Sequence, residues 1–222
     1  MNITIIQQDI QERNYLEVLE NLEDSGTDLV LFSELAVTGC LYDGLQDRVL
    51  LSEQAMQAQF QNFPFEVMIG TPRVQNGKIY NSYIHFTKST FKVYDKINLF
   101  APMNETIHYT SGENRTLFES HNLKFGASIC YDIRFPELYD HLKSDGADIM
   151  LIPAAFPRVR IDAWKSLLIE RAVQTNTMVI GINAVGNDGT NEFGGSSMVI
   201  DADGSIVAQA DEINETIIEV EL

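Results

Sequence analysis

The 222-residue sequence predicts an α/β fold: two βαβ halves and added hairpins forming a two-layer sheet core with helices outside. Two observations predict it. Continuous apolar strands alternate with helix-like stretches, as in strands buried on both faces. A weak internal echo repeats that unit: "GTDLVLFSELA" (26–36) resembles "GADIMLIPAAF" (146–156).

The elements follow in order. The first half reads "ITIIQQD", a helix over about 15–24, then "TDLVLFSE". Next, "GKIYNSYIHFT" and "TFKVYDKINLF" alternate in polarity and are joined by "KS", which predicts a hairpin. The second half reads "KFGASICYD", a helix over about 137–144, then "ADIMLIPAA". "DAWKSLLIERAVQ" predicts a helix with Ile161, Trp164, Leu168 and Ala172 on one face. "TMVIGINAVG" is a further apolar strand, and "SSMVIDADGSIVAQA" reads as strand, Asp-Gly turn, strand.

Length supports a single domain over 1–222, and 45% apolar content argues against disorder. The formal charge of -17, from 32 acidic and 15 basic residues, repels phosphate backbones and anionic membranes. Neither nucleic acid nor membrane is an expected partner, and an acidic substrate needs a local cationic site. "MNITIIQQD" lacks a basic n-region and a long apolar h-region, and runs such as "DIMLIPAAF" are too short to cross a bilayer. Cys40 and Cys130 show no CxxC or Cys/His ligand spacing, which argues against a disulfide framework and structural zinc. A reducing, cytoplasmic setting is expected. With no phosphate-cradling glycine loop and no metal-ligand cluster, no cofactor is expected.

Three polar residues stand at the ends of apolar strands: Glu34 after "DLVLFSE", Lys96 after "TFKVYDK" and Cys130 after "FGASIC". Ligands of open α/β sheets bind beyond the carboxyl ends of strands. Taken singly, Glu34 and Lys96 read as surface charges and Cys130 as a small buried hydrophobe. Together they suit acyl transfer without metal. A thiol needs a base, a buried carboxylate can serve, and an ammonium can hold the oxyanion. A Cys–His pair is the competing arrangement. His85, His108, His121 and His141 lie in no nucleophile–base motif, and His108 is expected to be a pocket-wall or structural residue. A non-catalytic binding protein is the remaining alternative, against which stands the cost of burying a Lys and a Glu without purpose.

The segments "LVLFSELAVTG", "VYDKINLF" and "GASICYDIRFPELY" resemble, in order and spacing, the three signature segments of the nitrilase superfamily, the carbon–nitrogen hydrolases. "AWKSLLIERAVQTNTMVIGINAVG" and "GGSSMVIDADGSIVA" extend the resemblance over nearly the whole chain. It implies an αββα sandwich of two mixed sheets flanked by helices, and a homodimer. It also implies a thioester mechanism with Cys130 as nucleophile and Glu34 as acid and base. Lys96 and the backbone N–H of Tyr131 would hold the oxyanion. A second glutamate after the lysine strand is implied, with Glu105 the best match and Glu113 the fallback. Asp132 and Arg134 read as an ion pair or loop-bracing network under the nucleophile and secondarily as substrate contacts, and Pro136 as a helix N1 residue.

"NETIHYTSGE", "PAAFPRVRIDAWKSLL" and "INAVGNDG" are most similar to the bacterial ω-amidase branch, which cleaves the terminal amide of 2-oxoglutaramate or 2-oxosuccinamate. That resemblance makes Arg160, with Arg158 as its neighbour, the expected partner of the substrate carboxylate. It makes Phe156 a pocket wall. Hydrolysis of an N-carbamoyl or glutamine-type amide is the alternative within the family. "ELAVTGCLYDG" is closer to glutaminase-type members, and the short region 43–68 is expected to affect the substrate side.

Overall fold

The apolar strands pair into two six-stranded sheets and a two-stranded ribbon. The computed structural model describes residues 1–11, 14–40, 45 and 52–222. Within the short region 43–68, residues 43, 44 and 46–51 lie outside those described, so the part of the expectation that falls on them has no structural counterpart here. The first sheet holds β1 (Asn2–Gln7), β2 (Leu29–Leu31), β3 (Glu66–Gln75), β4 (Lys78–Phe86), β5 (Phe91–Asp95) and β14 (Thr216–Glu221). Its order is β14-β1-β2-β3-β4-β5. β1, β2 and β3 run parallel, and β4, β5 and β14 pair antiparallel. The second sheet holds β6 (Leu117–Ser120), β7 (Leu123–Ala127), β8 (Ile149–Ala154), β9 (Met178–Asn183), β12 (Met198–Ile200) and β13 (Ile206–Gln209). Its parallel centre β7-β8-β9 has antiparallel neighbours on both sides. The ribbon is β10 (Val185–Asn187) with β11 (Glu192–Gly194).

Period-two alternation sends the first sheet's residues to two cores. Ile6, Val30, Val67, Ile69 and Ile84 pack with Tyr15 and Leu19 of α1 (Tyr15–Asn21) and Met56 and Phe60 of α2 (Glu53–Phe60). Ile3, Ile5, Leu29, Leu31, Met68 and Tyr83 join the core of the second sheet with Phe118, Phe125 and Leu151. That core also takes Leu138 and Leu142 of α4 (Pro136–Ser144) and Trp164, Leu168 and Ala172 of α5 (Ile161–Thr175). Helices, sheet, sheet, helices is the αββα order expected.

Local chemistry explains the boundaries. The Ser52 hydroxyl accepts the Ala55 N–H at 3.2 Å and caps α2. α4 begins at Pro136, carries Glu137 in its first turn and His141 and Lys143 in its last, matching the helix dipole. A Cβ on Gly181 of β9 would lie 2.6 Å from Leu168, so glycine is what lets α5 settle on the sheet. The helix expected over 15–24 ends at Asn21. The β4–β5 connection is a four-residue loop, Thr87 to Thr90, closed by Thr87 N–H to Thr90 O at 2.9 Å, rather than a two-residue "KS" turn. The Asp-Gly turn forms as read, with Gly204 at φ 88°.

Candidate active site

Glu34 lies three residues beyond the end of β2, where the chain turns through Leu35 at φ 55°. It is buried, and its carboxylate accepts three donors. Oε1 takes Lys96 Nζ at 2.8 Å and Asn81 Nδ2 at 2.7 Å, and Oε2 takes the Ala155 N–H at 2.8 Å. Ala155 follows β8, so the two echoed segments of the sequence meet at this bond.

Lys96 follows β5 directly, and its side chain is fully buried. Its ammonium also donates to Glu105 Oε1 at 2.7 Å. Glu105 opens α3 (Glu105–His108), and its Oε2 accepts the Phe100 N–H at 2.7 Å. Glu113 is exposed, so Glu105 is the second glutamate of the cluster. Burial works against the Lys96 charge, but Glu105 and Glu34 outweigh it and hold the ammonium well above the usual lysine value. Burial, with Glu34 nearby, pushes Glu105 up against the pull of Lys96.

Cys130 stands three residues past β7, at the start of a 3-10 turn over Cys130–Arg134. β7 is thus shorter than "KFGASICYD" suggested. Cys130 sits at φ 48°, an uncommon region for a non-glycine residue, which a surrounding network must enforce. The buried Asp132 carboxylate supplies it. Oδ2 accepts Tyr94 Oη–H at 2.7 Å and the Ile129 N–H at 3.0 Å, and Oδ1 accepts the Asn98 N–H and Nδ2 at 2.8 Å each. This carboxylate ties the cysteine turn to the lysine strand on both sides of Lys96. Of the two readings for Asp132 and Arg134, the bracing network holds and the ion pair does not: Arg134 is exposed and faces the pocket instead. Burial, then the Glu34 charge, pushes the Cys130 thiol well above its usual value, only partly offset by Lys96. The thiol is therefore neutral at rest.

Cys130, Glu34 and Glu105 open onto one pocket with Cys40, Phe100, Tyr131, Arg134, Phe156 and Arg160. The pocket is narrow, about 20 Å³. Tyr131 packs between Phe100 and Phe135, at 4.8 and 5.5 Å between ring centres. Phe156 is a wall, as expected, backed by Trp164 at 5.3 Å. The Arg160 guanidinium lies over the Phe100 ring at 5.0 Å. Arg158 is turned away, paired with Glu192 at 2.6 Å. None of the four histidines lines the pocket. His85 pairs with Glu66, His121 meets Ser120, and His108, expected as a possible wall residue, is absent from the lining. Among the described residues, no group of His, Cys, Asp and Glu is arranged to hold a metal ion.

The carbon-nitrogen hydrolase family model matches residues 3–222. The chain belongs to that family. This carbon–nitrogen hydrolase is 33% identical over 196 residues to a 2-oxoglutaramate amidase of Bacillus subtilis, covering 84% of this chain and 75% of the relative. It is 28% identical to omega-amidase YafV of Escherichia coli over 100% of this chain and 90% of the relative. Its fold matches Saccharomyces cerevisiae Nit3, a member of branch 10 of the nitrilase superfamily. There the TM-score is 0.85 at 25% identity, over 99% of this chain and 89% of that one.

Three groups at the site escaped the sequence reading of this hydrolase, and a fourth was misranked by it. Asn81 carried a signal: an Asn inside "KIYNSYIHF" is out of place among strand formers. For Arg134 the sequence puts bracing first and substrate contact second, and the pocket reverses that order. Cys40 in the same pocket as Cys130, and a backbone N–H from Ala155 on Glu34, had no local signal at all.

Proposed function

We propose that the protein is a cysteine-dependent amidase cleaving the terminal carboxamide of a small 2-oxo acid, 2-oxoglutaramate or 2-oxosuccinamate, to the acid and ammonia. Cys130 gives its thiol proton to Glu34 while Sγ attacks the amide carbon. Lys96 Nζ and the Tyr131 N–H hold the oxyanion. Glu34 passes the proton to the amide nitrogen, ammonia leaves, and a thioester remains. Glu34 then takes a proton from water, the hydroxide attacks, and Cys130 departs as the thiol. Glu105 holds Lys96 in place and orients substrate or water.

The observation that carries this reading is the Cys130 thiol and the Lys96-bound Glu34 carboxylate on one pocket that Arg134 and Arg160 also line. Among the described residues Arg134 and Arg160 have no ion-pair partner, in a protein of charge -17. They suit the remote carboxylate of the substrate by charge-assisted hydrogen bonds. The two pocket carboxylates are both committed to Lys96, which leaves none for the ammonium of an α-amino acid. That favours a 2-oxo acid amide over glutamine.

Ammonia release from 2-oxoglutaramate, 2-oxosuccinamate, glutamine, asparagine and an N-carbamoyl amino acid tests the reading, with Cys130→Ala alongside. Cysteine-dependent release from the oxo-amides is expected, with Arg160→Ala raising KM about 10-fold or more through a lost charged contact. Preference for the N-carbamoyl compound or glutamine would replace the substrate class but keep the chemistry. We further read residues 1–222 as one catalytic domain and as half of a homodimer. Val173 on α5 and Ile206 and Val207 on β13 support the dimer, since all three leave apolar side chains half exposed. A cytoplasmic, reducing setting suits the two free thiols.

A further inference from the structure

We infer that Asn81 is a positioning residue that dedicates one oxygen of Glu34 to proton transfer, an inference resting on the proposed role of Glu34. A carboxylate offers about four lone-pair sites, two on each oxygen. Three are filled here. Lys96 Nζ and Asn81 Nδ2 occupy both sites of Oε1, and the Ala155 N–H occupies one site of Oε2. The remaining site is on Oε2. Cys130 Sγ lies 4.0 Å from the carbonyl oxygen of Ala155, the same residue whose N–H holds Oε2. The geometry gives the two oxygens separate tasks: Oε1 is anchored, and Oε2 receives and returns the proton.

Asn81 is suited to this and to nothing in direct contact with substrate. It is fully buried in β4 and does not line the pocket. Its backbone oxygen accepts the Lys96 N–H at 2.9 Å, so the same residue holds the base by its side chain and the lysine by its main chain. Among the described residues its Oδ1 has no hydrogen-bond partner, a cost accepted in a place where only the amide N–H₂ is used. Lys96 alone would leave one site on Oε1 open, and the carboxylate could then turn or protonate on the wrong oxygen. The charged and titratable groups around Glu34 are Lys96, Glu105, Cys130, Cys40 and Tyr109.

The test compares wild type with Asn81→Ala and Asn81→Asp, using ammonia release from 2-oxoglutaramate across pH and thermal unfolding. A second readout needs no substrate: the pH dependence of Cys130 alkylation by iodoacetamide, followed peptide by peptide. In Asn81→Ala, kcat should fall about 10- to 100-fold while KM stays within about threefold, the scale of one lost hydrogen bond to a charged group. A carboxylate with one donor fewer disfavours its charged form, so the acid limb of kcat/KM should move to higher pH. The bare Oε1 charge should also delay Cys130 ionisation, moving alkylation up by about one pH unit. Asn81→Asp removes the donor and adds negative charge, so it should lose more. It also keeps the side-chain shape if the alanine variant folds poorly. A folded variant with unchanged pH limb and unchanged alkylation profile overturns the inference, as does a loss that only tracks the unfolded fraction. If wild type releases ammonia from no amide, the substrate reading fails while alkylation still decides the role of Asn81.

Discussion

Lys96 is the residue on which the site balances. Its ammonium is buried between Glu34 and Glu105, and each carboxylate is tolerable inside the protein because of it. Removing one partner of a buried ionic cluster costs more than the cluster itself contributes, because uncompensated charge remains. Lys96→Met should therefore abolish turnover and cost about 3–5 kcal/mol in chemical denaturation. Adding Glu105→Gln should recover part of that loss, since it removes one of the two stranded charges. Full stability in Lys96→Met would mean that the carboxylates are held neutral by other means. Cys130 makes a second prediction at this scale. Its thiol is pushed up by burial first and by Glu34 next, so its alkylation should rise only above the ordinary thiol value of 9.0. A thiolate paired with histidine would instead react at neutral pH and below.

At the scale of elements, the site is assembled from loops that leave the carboxyl ends of β2, β5, β7 and β8. Their mutual register depends on two close contacts. One is the Asp132 carboxylate, which joins the cysteine turn to the lysine strand. The other is Gly70 of β3, whose missing side chain admits the Glu34 segment. A Cβ there would lie 2.4 Å from the Leu35 nitrogen and 2.8 Å from the Glu34 Cα. Backbone cannot yield as a flexible side chain does, so the Glu34 turn would have to shift. Gly70→Ala should cost about 1–3 kcal/mol, the range of overpacked cores. It should reduce kcat more than KM, because displacement of the base impairs proton transfer before binding. A variant with wild-type kcat would show that the Glu34 segment tolerates movement.

At the scale of the whole molecule, the burial that builds the core also sets an alkaline limit. Burial raises the hydroxyls of Tyr83, Tyr94, Tyr109 and Tyr139 above their usual value of 10.0 and both thiols above 9.0. Raised acids keep their protons in the folded state at pH values where the unfolded chain has released them. Stability is then full below about pH 9 and declines as pH climbs through the thiol and phenol range. Thermal unfolding between pH 7 and 11 should show a midpoint falling from about pH 9 upward. A flat midpoint to pH 11 would contradict the burial of these groups.

The alternation of apolar strands and helices determined the two βαβ halves and the layer order, because burial on one face or two leaves a periodicity that sequence carries directly. The buried cluster was legible for a related reason: Glu34, Lys96 and Cys130 are costly residues at strand ends, and each marks its own loop. The second glutamate was legible only as a choice between Glu105 and Glu113, and the choice fell to the fold, which buries one and exposes the other. Arg134 was legible as a pocket cation only as a second choice after bracing, and the fold reversed the order because Asp132 turns inward to Tyr94 and Asn98 and leaves Arg134 on the pocket. The bond from Ala155 to Glu34 joins positions 121 residues apart, and the Asn81 bond spans 47. Such contacts leave no local pattern. The first exists because the two sheets stack with the carboxyl ends of β2 and β8 together, and the second because β3 brings β2 and β4 into one sheet, decisions made by packing rather than by any one segment.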